Sequence, residues 1–158
     1  MSKIPLTKAG AEMLRRELHR LKTEDRPRAI SAIADARSHG DLSENAEYDA
    51  AKERQSFIEG RIAEFESKLA NAQIIEPQLI EADGRCVFGS TVDLDDLKGR
   101  EKATYQIVGE DEADIKKGKI SISSPIARAL IGKYPGDQVE VQTPGGLRAY
   151  EILDVRYV

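Results

Sequence analysis

An apolar heptad repeat between residues 48 and 72 is the feature that most constrains the fold of this chain. Side chains recur every seven residues in two series: Tyr48, Gln55, Ile62 and Leu69, and Ala51, Ile58, Phe65 and Ala72. A stripe at these a and d positions is typical of a helix that packs along a second helix in a coiled coil. At 1.5 Å per residue, a helix of about 28 residues is about 40 Å long. The repeat therefore predicts a long helical arm that needs a partner of similar length.

The partner arm is predicted upstream of residue 40. Its apolar positions, spaced mostly three or four residues apart, are Leu14, Leu18, Leu21, Ala29, Ile33 and Ala36. Thr7 is a residue type that caps helix N-termini, and Gly40 is the type that follows helix C-termini. Pro27 lies inside the arm and is expected to kink or locally break it, because proline removes a backbone hydrogen bond. We predict helix from residue 7 to about residue 76, interrupted by one turn, and thus an antiparallel coiled-coil hairpin.

The character of the sequence changes near Glu76 and Pro77. The remainder is rich in glycine and β-branched residues, and it alternates between polar and apolar residues at positions 91–94, 119–122 and 138–141. Residues 143–146 (Thr-Pro-Gly-Gly) are typical of a hairpin turn. Ser124 and Pro125 predict the start of a short helix over residues 126–131. We therefore expect an α+β protein with two domains, residues 1–76 and 77–158.

Composition excludes several classes of function. The chain of 158 residues has a formal charge of −4, so it does not bind DNA through overall charge. Aromatic residues make up 5% of the chain and tryptophan is absent, which argues against a stacking platform for single-stranded nucleic acid. Cys86 is the only cysteine, which excludes an internal disulfide. With no apolar leader or membrane-length apolar run, the sequence predicts a soluble cytoplasmic protein.

The segment between the two arms is acidic. Residues 40–49 contain four carboxylates, Asp41, Glu44, Glu47 and Asp49, and no basic residue. Ser43, followed by acids in the first turns, predicts the start of the second helix. Carboxylates at a projecting tip cannot surround Mg²⁺ alone, because this ion requires six oxygen ligands. We hypothesise that they complete a metal site that belongs to another macromolecule, although acids at a helix terminus are also common without any such role.

The first arm carries a run of basic residues. Its members are Arg15, Arg16, Arg20, Lys22, Arg26 and Arg28, and Arg37 lies closer to the acidic segment. These side chains are candidates for contact with nucleic-acid phosphates. The alternative is a solvated helix face whose arginines pair with Glu17, Glu24 and Asp25. Both interpretations remain open at this stage.

Two segments resemble the bacterial Gre family of transcript cleavage factors. Residues 40–48 (Gly-Asp-Leu-Ser-Glu-Asn-Ala-Glu-Tyr) resemble the tip of the family's coiled coil. Residues 121–132 (Ser-Ile-Ser-Ser-Pro-Ile-Ala-Arg-Ala-Leu-Ile-Gly) resemble the signature of its C-terminal domain. The two segments occur in the family's order, and the resemblance extends over essentially the whole chain.

The resemblance implies a specific activity. Gre factors bind bacterial RNA polymerase through an FKBP-like C-terminal domain and insert the hairpin into the secondary channel. Tip acids, here Asp41 and Glu44, help to hold a second Mg²⁺ in the polymerase active centre, and the polymerase then hydrolyses its backtracked nascent RNA. The corresponding RNA-contact candidates are Arg15, Arg16, Arg20, Arg26, Arg28 and Arg37. The resemblance further implies a DNA-binding transcription protein that is a monomer, is not itself an enzyme, has no membrane partner and holds no tightly bound cofactor.

Two other functions are compatible with parts of the sequence. A channel-binding regulator that does not support cleavage is one, but the intact pair Asp41 and Glu44 argues against it. A peptidyl-prolyl isomerase is the other, suggested by the FKBP-like domain. Isomerase pockets of that kind are lined by aromatic residues, and residues 77–158 contain only Phe88, Tyr105, Tyr134, Tyr150 and Tyr157. A fold does not by itself imply a function.

Overall fold

The computed structural model describes residues 3–38, 45–99 and 101–158. Its contacts divide the chain into two units. One is Ala11–Ala72, and the other joins the N-terminal residues up to Gly10 with Gln73–Val158. This division differs from the expected boundary near residue 77, because the first residues of the chain and residues 73–76 group with the C-terminal unit.

The helical unit is built from three helices and one widened turn. Helix α1 spans Lys8–Arg20, a π-helical turn spans Leu21–Asp25, α2 spans Arg26–Arg37 and α3 spans Ala46–Ala70. The prediction of helix to about residue 76 is wrong beyond α3, because Ala72–Ile75 forms strand β2. Two adjacent isoleucines at the end of this segment favour a strand over a helix, since β-branched side chains are restricted in helices.

Pro27 was expected to kink or locally break the first arm; the structure instead has a π-helical turn, Leu21–Asp25, just before it and no break in the helical backbone. The Arg26 N–H donates to the Leu21 carbonyl five residues earlier, while Arg20, Asp25 and Arg26 all keep right-handed helical dihedral angles. Pro27 cannot donate a backbone hydrogen bond, and the turn before it widens to accommodate that loss. The first arm therefore continues through the proline as one helical rod.

Helices α2 and α3 run antiparallel along the predicted seam. Lys22 pairs with Glu66 and Arg26 with Glu59, so partner numbers fall as the first arm advances. The buried positions of the unit are Ala11, Leu14, Leu21, Ala29, Ala36, Ala51, Ile58, Ile62 and Phe65. Four of them belong to the heptad series of α3, which confirms that this repeat forms the apolar face of a helical hairpin.

The second unit contains two sheets. Strand β1 (Ile4–Thr7) pairs with β2, and a five-stranded sheet has the order β5-β4-β3-β7-β6. Its strands are β3 (Thr91–Asp96), β4 (Lys102–Val108), β5 (Lys119–Ser121), β6 (Gln138–Thr143) and β7 (Gly146–Arg156). The expectation of an antiparallel sheet is wrong at one edge, because β4 and β5 are parallel. Two short 3₁₀ turns between these strands return the chain in the direction that a parallel pair requires.

The hairpin turn and the short helix predicted for this unit are both confirmed. Strands β6 and β7 meet at the predicted hairpin turn, where Thr143 pairs with Gly146. Helix α4 spans Pro125–Leu130, and the Ser124 hydroxyl accepts the Ala127 N–H as its N-cap. The core lies under one face of the sheet and includes Cys86, Val92, Leu94, Ile107, Ala127, Leu130 and Ile152.

A buried carboxylate fixes the start of α1 within the second unit. The Thr7 hydroxyl accepts the Gly10 N–H at 3.0 Å, which confirms the predicted N-cap. Glu112 is only 6% exposed; it accepts the Thr7 N–H at 3.1 Å, the Gly109 N–H at 3.0 Å and the Thr7 hydroxyl proton. A Cβ at Gly10 would overlap the Glu112 side chain. Glycine is therefore required here by a close approach and not by an unusual dihedral angle.

Two glycine-to-alanine substitutions test this packing. Gly10→Ala should lower the free energy of unfolding by about 1–3 kcal/mol, because the new methyl group displaces a hydrogen-bonded carboxylate from a filled site. Gly60→Ala is the matched control in α3, where an added Cβ meets nothing within 4 Å. It should stabilise the protein by about 0.5–1 kcal/mol through helix propensity. Urea unfolding measures both, and a Gly10→Ala variant at least as stable as the wild type would contradict the assignment.

Candidate functional site

The acidic segment falls between the ends of the two antiparallel arms. Asp41 and Glu44, the predicted metal ligands, lie outside the described residues, as do Gly40 and Ser43. Helix α2 ends at Arg37, and α3 begins at Ala46. The structure thus places the flanking residues of the candidate site, and the role of the two acids stays a prediction.

Asn45, and not Ser43, caps α3. Its backbone is extended, and its side-chain oxygen accepts the Tyr48 N–H at 3.1 Å. The prediction that Ser43 supplies the helix start is therefore wrong by two residues. Asparagine is among the strongest N-cap types, so the signal was present in the sequence. Serine followed by glutamate at residues 43 and 44 offers a second plausible start two residues earlier.

The same asparagine joins the two arms. Its Nδ2 group donates to the Ala36 carbonyl at 2.7 Å, one residue before the end of α2. One side chain therefore accepts from an N–H in the first turn of α3 and donates to a carbonyl in the last turn of α2. These two groups belong to the sets that helix termini leave without partners. Asn45 thereby ties the last turn of α2 to the first turn of α3.

The six arginine candidates fall into different environments. Arg15, Arg16 and Arg28 are exposed on the first arm. Arg20 hydrogen-bonds Glu17 and lies 3.8 Å from Asp25, which agrees with the alternative of a paired, solvated face. The hydrogen bond from Arg20 lowers the pKa of Glu17 below its usual value. This cation is partly neutralised and is a weaker candidate for phosphate contact.

Arg26 makes a contact that the sequence did not indicate. Its Nε and Nη2 atoms each donate to a Glu59 carboxylate oxygen at 2.8 Å, in a bidentate pair that links the arms. This hydrogen bonding lowers the pKa of Glu59. Arg26 therefore links the two arms of the hairpin. Its bidentate pair with Glu59 occupies the edge of the guanidinium that would otherwise face a phosphate.

Arg37 lies at the end of α2 beside an aromatic ring. Its guanidinium carbon is 5.9 Å from the centroid of Tyr48, and the Lys52 ammonium nitrogen is 5.4 Å from the same centroid. The sequence placed Tyr48 in the seam as a packing residue, and it is half-buried there. Two cations, Arg37 and Lys52, also lie near its ring, and the sequence spacing did not indicate this contact for Lys52.

Metal ligands do not cluster elsewhere in the described residues. Within residues 3–38, 45–99 and 101–158, no group of three His, Cys, Asp or Glu side chains could hold an ion. Glu47 and Asp49 are exposed in the first turn of α3, where the helix dipole favours acids. Asp41 and Glu44 stay the predicted ligands, and both are carboxylates of the kind that Mg²⁺ prefers.

The second signature segment has a defined local structure. Ser121 ends β5, the Ser123 hydroxyl donates to a Glu110 carboxylate oxygen at 2.7 Å, and Ser124 caps α4. Aromatic residues of this unit mostly serve the core: Tyr150 is buried in it, and Phe88, Tyr105 and Tyr157 pack against it. This distribution argues against an aromatic-lined isomerase pocket. None of the helices that the structure describes is long and apolar enough to cross a lipid bilayer.

Known proteins match the chain along its whole length. The family model described as Transcription elongation factor, N-terminal, matches residues 4–74, and that described as Transcription elongation factor, GreA/GreB, C-term, matches residues 81–157. A relative from Halorhodospira halophila is 68% identical over 99% of both chains. A relative from Ralstonia nicotianae is 66% identical over the full length of both chains. Both relatives are named transcription elongation factor GreA.

A solved structure gives a weaker match. The crystal structure of GreA factor homolog 1 from Thermus thermophilus is 32% identical, covers 98% of this chain and 99% of its own, and has a TM-score of 0.44. That score supports no detailed comparison of shape.

The two matching family models place this protein in the class of transcription elongation factors. Within that class, the chain belongs to the GreA/GreB family, since the two models together span nearly all of its residues. The resemblance seen in two short segments is thereby confirmed over the whole chain.

Substitutions of Asn45 test its double role. Asn45→Ala should cost about 2 kcal/mol of unfolding free energy, because it removes both a cap and a hydrogen bond between the arms. Asn45→Asp keeps the cap and loses only the donor to Ala36, so its cost should be smaller, about 1 kcal/mol. Urea unfolding gives both values.

Asn71→Ala is the control for the Asn45 substitutions. The Asn71 amide donates to the Ser67 carbonyl at 2.9 Å at the exposed end of α3, and its loss should cost no more than about 0.5 kcal/mol. Equal effects at positions 45 and 71 would show that Asn45 does not link the arms.

Proposed function

We propose that this chain binds bacterial RNA polymerase, inserts its helical hairpin into the secondary channel and stimulates the polymerase's Mg²⁺-dependent cleavage of backtracked nascent RNA. The observation that supports the proposal is the antiparallel pairing of the two arms, α2 and α3, which the acidic residues 41 and 44 connect in sequence. Family membership supports it. Cleavage would release arrested complexes by creating a new RNA 3′ end in the active centre.

The proposed roles follow the two units. The C-terminal unit, expected to be FKBP-like, would dock on the polymerase through its own surface. The hairpin, expected to behave as a coiled coil, would then be held at high effective concentration in the channel. The protein would act in the cytoplasm as a monomer that associates with DNA only through the elongation complex. It would have no tightly bound cofactor and no membrane partner.

Asp41 and Glu44 would act as ligands in a site that the polymerase completes. Mg²⁺ in a two-metal site activates water or stabilises the leaving oxygen during phosphodiester hydrolysis. The two carboxylates are ionised at neutral pH and would supply hard oxygen ligands. Exposed arginines of the first arm, Arg15, Arg16 and Arg28, would contact phosphates of the extruded RNA. The paired arginines, Arg20 and Arg26, would contribute less.

Substitution of the tip acids tests this assignment. Asp41→Ala or Glu44→Ala should reduce stimulated cleavage by about 100-fold or more, because metal sites depend steeply on each ligand. Binding to polymerase, measured by competition with labelled wild-type protein, should remain nearly unchanged. Asp49→Ala is the control, since it removes one exposed acid from the first turn of α3. Loss of binding in both tip variants would show that the tip is a docking element.

The chain alone should not hydrolyse RNA. Two carboxylates leave most of the coordination sphere of Mg²⁺ to water, so that substrate is neither positioned nor polarised. Purified protein with Mg²⁺ and single-stranded RNA should yield no product above background. Hydrolysis that follows the protein peak through chromatography, and that Asp41→Ala abolishes, would identify an enzyme instead of an auxiliary factor.

A further inference from the structure

We propose that Glu112 is a positioning residue for stimulated cleavage, because it holds the first turn of α1 in the second unit and so keeps the chain helical where it enters the hairpin. This inference rests on the proposed function. Glu112 would touch neither the metal nor the RNA. It would act through Thr7, the residue that caps α1.

The chain passes between the two units twice. The first passage lies between Gly10 and Ala11, inside α1, and the second lies between Ala72 and Gln73, inside β2. A folded helix is a semi-rigid spacer, whereas an unfolded turn is a flexible linker. The first passage is therefore stiff only while the first turn of α1 stays folded.

The first turn of α1 is supported by its cap. Helix N-termini leave backbone N–H groups without intrahelical partners, and the first turn of α1 carries no acidic residue that would interact favourably with the helix dipole. The Thr7 hydroxyl accepts the Gly10 N–H at 3.0 Å. Loss of this cap would therefore favour fraying of the turn that contains the first passage.

Glu112 fixes both the backbone and the side chain of the capping residue. Its carboxylate accepts the Thr7 N–H at 3.1 Å and the Thr7 hydroxyl proton. Because the hydroxyl donates to Glu112, a lone pair of the same oxygen can accept the Gly10 N–H. The carboxylate also accepts the Gly109 N–H at 3.0 Å. Removal of the carboxylate would leave buried donors without a partner, which costs more than the net worth of the hydrogen bonds.

Two glycines allow the close packing around this carboxylate. A Cβ at Gly10 would overlap the Glu112 side chain. A Cβ at Gly109 would lie 3.0 Å from the Pro5 carbonyl oxygen and 3.1 Å from a Glu112 carboxylate oxygen. Thr7 is only 3% exposed. In a site packed this closely, a shift of either partner loses the hydrogen bonds, because their strength depends steeply on geometry.

The turn that carries Glu112 is tied to the second signature segment. Residues Glu110–Glu112 form a 3₁₀ turn, in which the Glu112 N–H donates to the Gly109 carbonyl at 3.0 Å. The Glu110 carboxylate accepts a hydrogen bond of 2.7 Å from the Ser123 hydroxyl, within the segment of residues 121–132. A positioning residue requires such a supported mount, since a side chain on an unsupported loop fixes no geometry.

Release of the cap would lower the effective concentration of the tip in the channel. Docking of the second unit makes the hairpin a tethered group, whose local concentration depends on the length and stiffness of the tether. A flexible first passage would spread the tip over a larger volume. The rate of cleavage at saturating factor would then fall, whereas the affinity of docking would not.

Single-turnover cleavage of a backtracked elongation complex tests this role. Glu112→Ala and Thr7→Val should each lower the maximal rate about tenfold, because a tethered group that is no longer held in place reacts more slowly. The factor concentration at half-maximal rate should stay unchanged. Thr7→Ser keeps the hydroxyl and should match the wild type.

Ile152→Val is the control for a general loss of stability. Ile152 belongs to the core of the same unit and is 1% exposed. Its truncation leaves a small cavity and should lower the midpoint of urea unfolding. The maximal rate of cleavage should nevertheless equal that of the wild type, because the cap of α1 is intact.

Hydrogen exchange of the free full-length chain tests the anchor without polymerase. Amides of residues 10–13 should exchange about tenfold faster in Glu112→Ala and Thr7→Val than in the wild type, because local opening of the first turn becomes easier. Amides of residues 55–65, in the seam of α3, should exchange at the wild-type rate in both variants.

The possible outcomes are distinct. Normal maximal rates in both variants, beside an active wild type, would overturn the positioning role alone. Unchanged exchange at residues 10–13 would overturn the anchor, and a loss of rate that Ile152→Val reproduces would reduce Glu112 to a stabilising residue. Wild-type protein that does not stimulate cleavage would overturn the proposed function together with any role of Glu112 in it, and hydrogen exchange would still decide whether Glu112 holds α1.

Discussion

The antiparallel packing of α2 against α3 is the constraint on which the rest of the hairpin depends. Small residues of the first arm, Ala29 and Ala36, are buried in the same unit as the larger Ile58 and Phe65 of α3. Burial of this seam contributes roughly 25 cal/mol per Å² of apolar surface, and ion pairs between the arms add little because they are exposed. The seam brings the last turn of one helix beside the first turn of the next. The Asn45 link and the cations around Tyr48 both follow from that alignment.

Much of this arrangement could be predicted from local sequence patterns. The heptad repeat identified α3, and Thr7 and Ser124 identified two helix starts, because each signal acts over a few residues. Pro27 was expected to disturb the first arm, and it coincides with the widened turn. These features depend on residue spacing and on residue types that favour or disrupt local backbone hydrogen bonds, and both can be seen in the sequence.

Features that depend on distant partners could not be predicted in this way. The second arm ends before residue 76 because residues 72–75 form strand β2, which pairs with β1. Strand β5 pairs with β4 in parallel. The sequence pattern does not distinguish Glu112 from a surface acid, because its hydrogen bond to Thr7 joins residues far apart in the chain. The sequence pattern likewise does not indicate that Lys52 and Arg37 lie beside the same ring, that of Tyr48. Each case requires a contact between residues whose proximity the sequence pattern does not reveal.

The central claim is that the hairpin brings its acidic segment to the metal site of the polymerase. A nitroxide at position 43 (Ser43→Cys), with Mn²⁺ replacing Mg²⁺ in the active centre of a backtracked complex, measures this proximity by paramagnetic relaxation. The native Cys86 is fully buried, and burial raises the pKa of its thiol, so the introduced cysteine takes the label. A label at Ser67→Cys, about 30 Å further along α3, is the control. The account predicts strong relaxation enhancement at position 43 and little at position 67, whereas equal, weak enhancement at both in a cleavage-competent complex would contradict it.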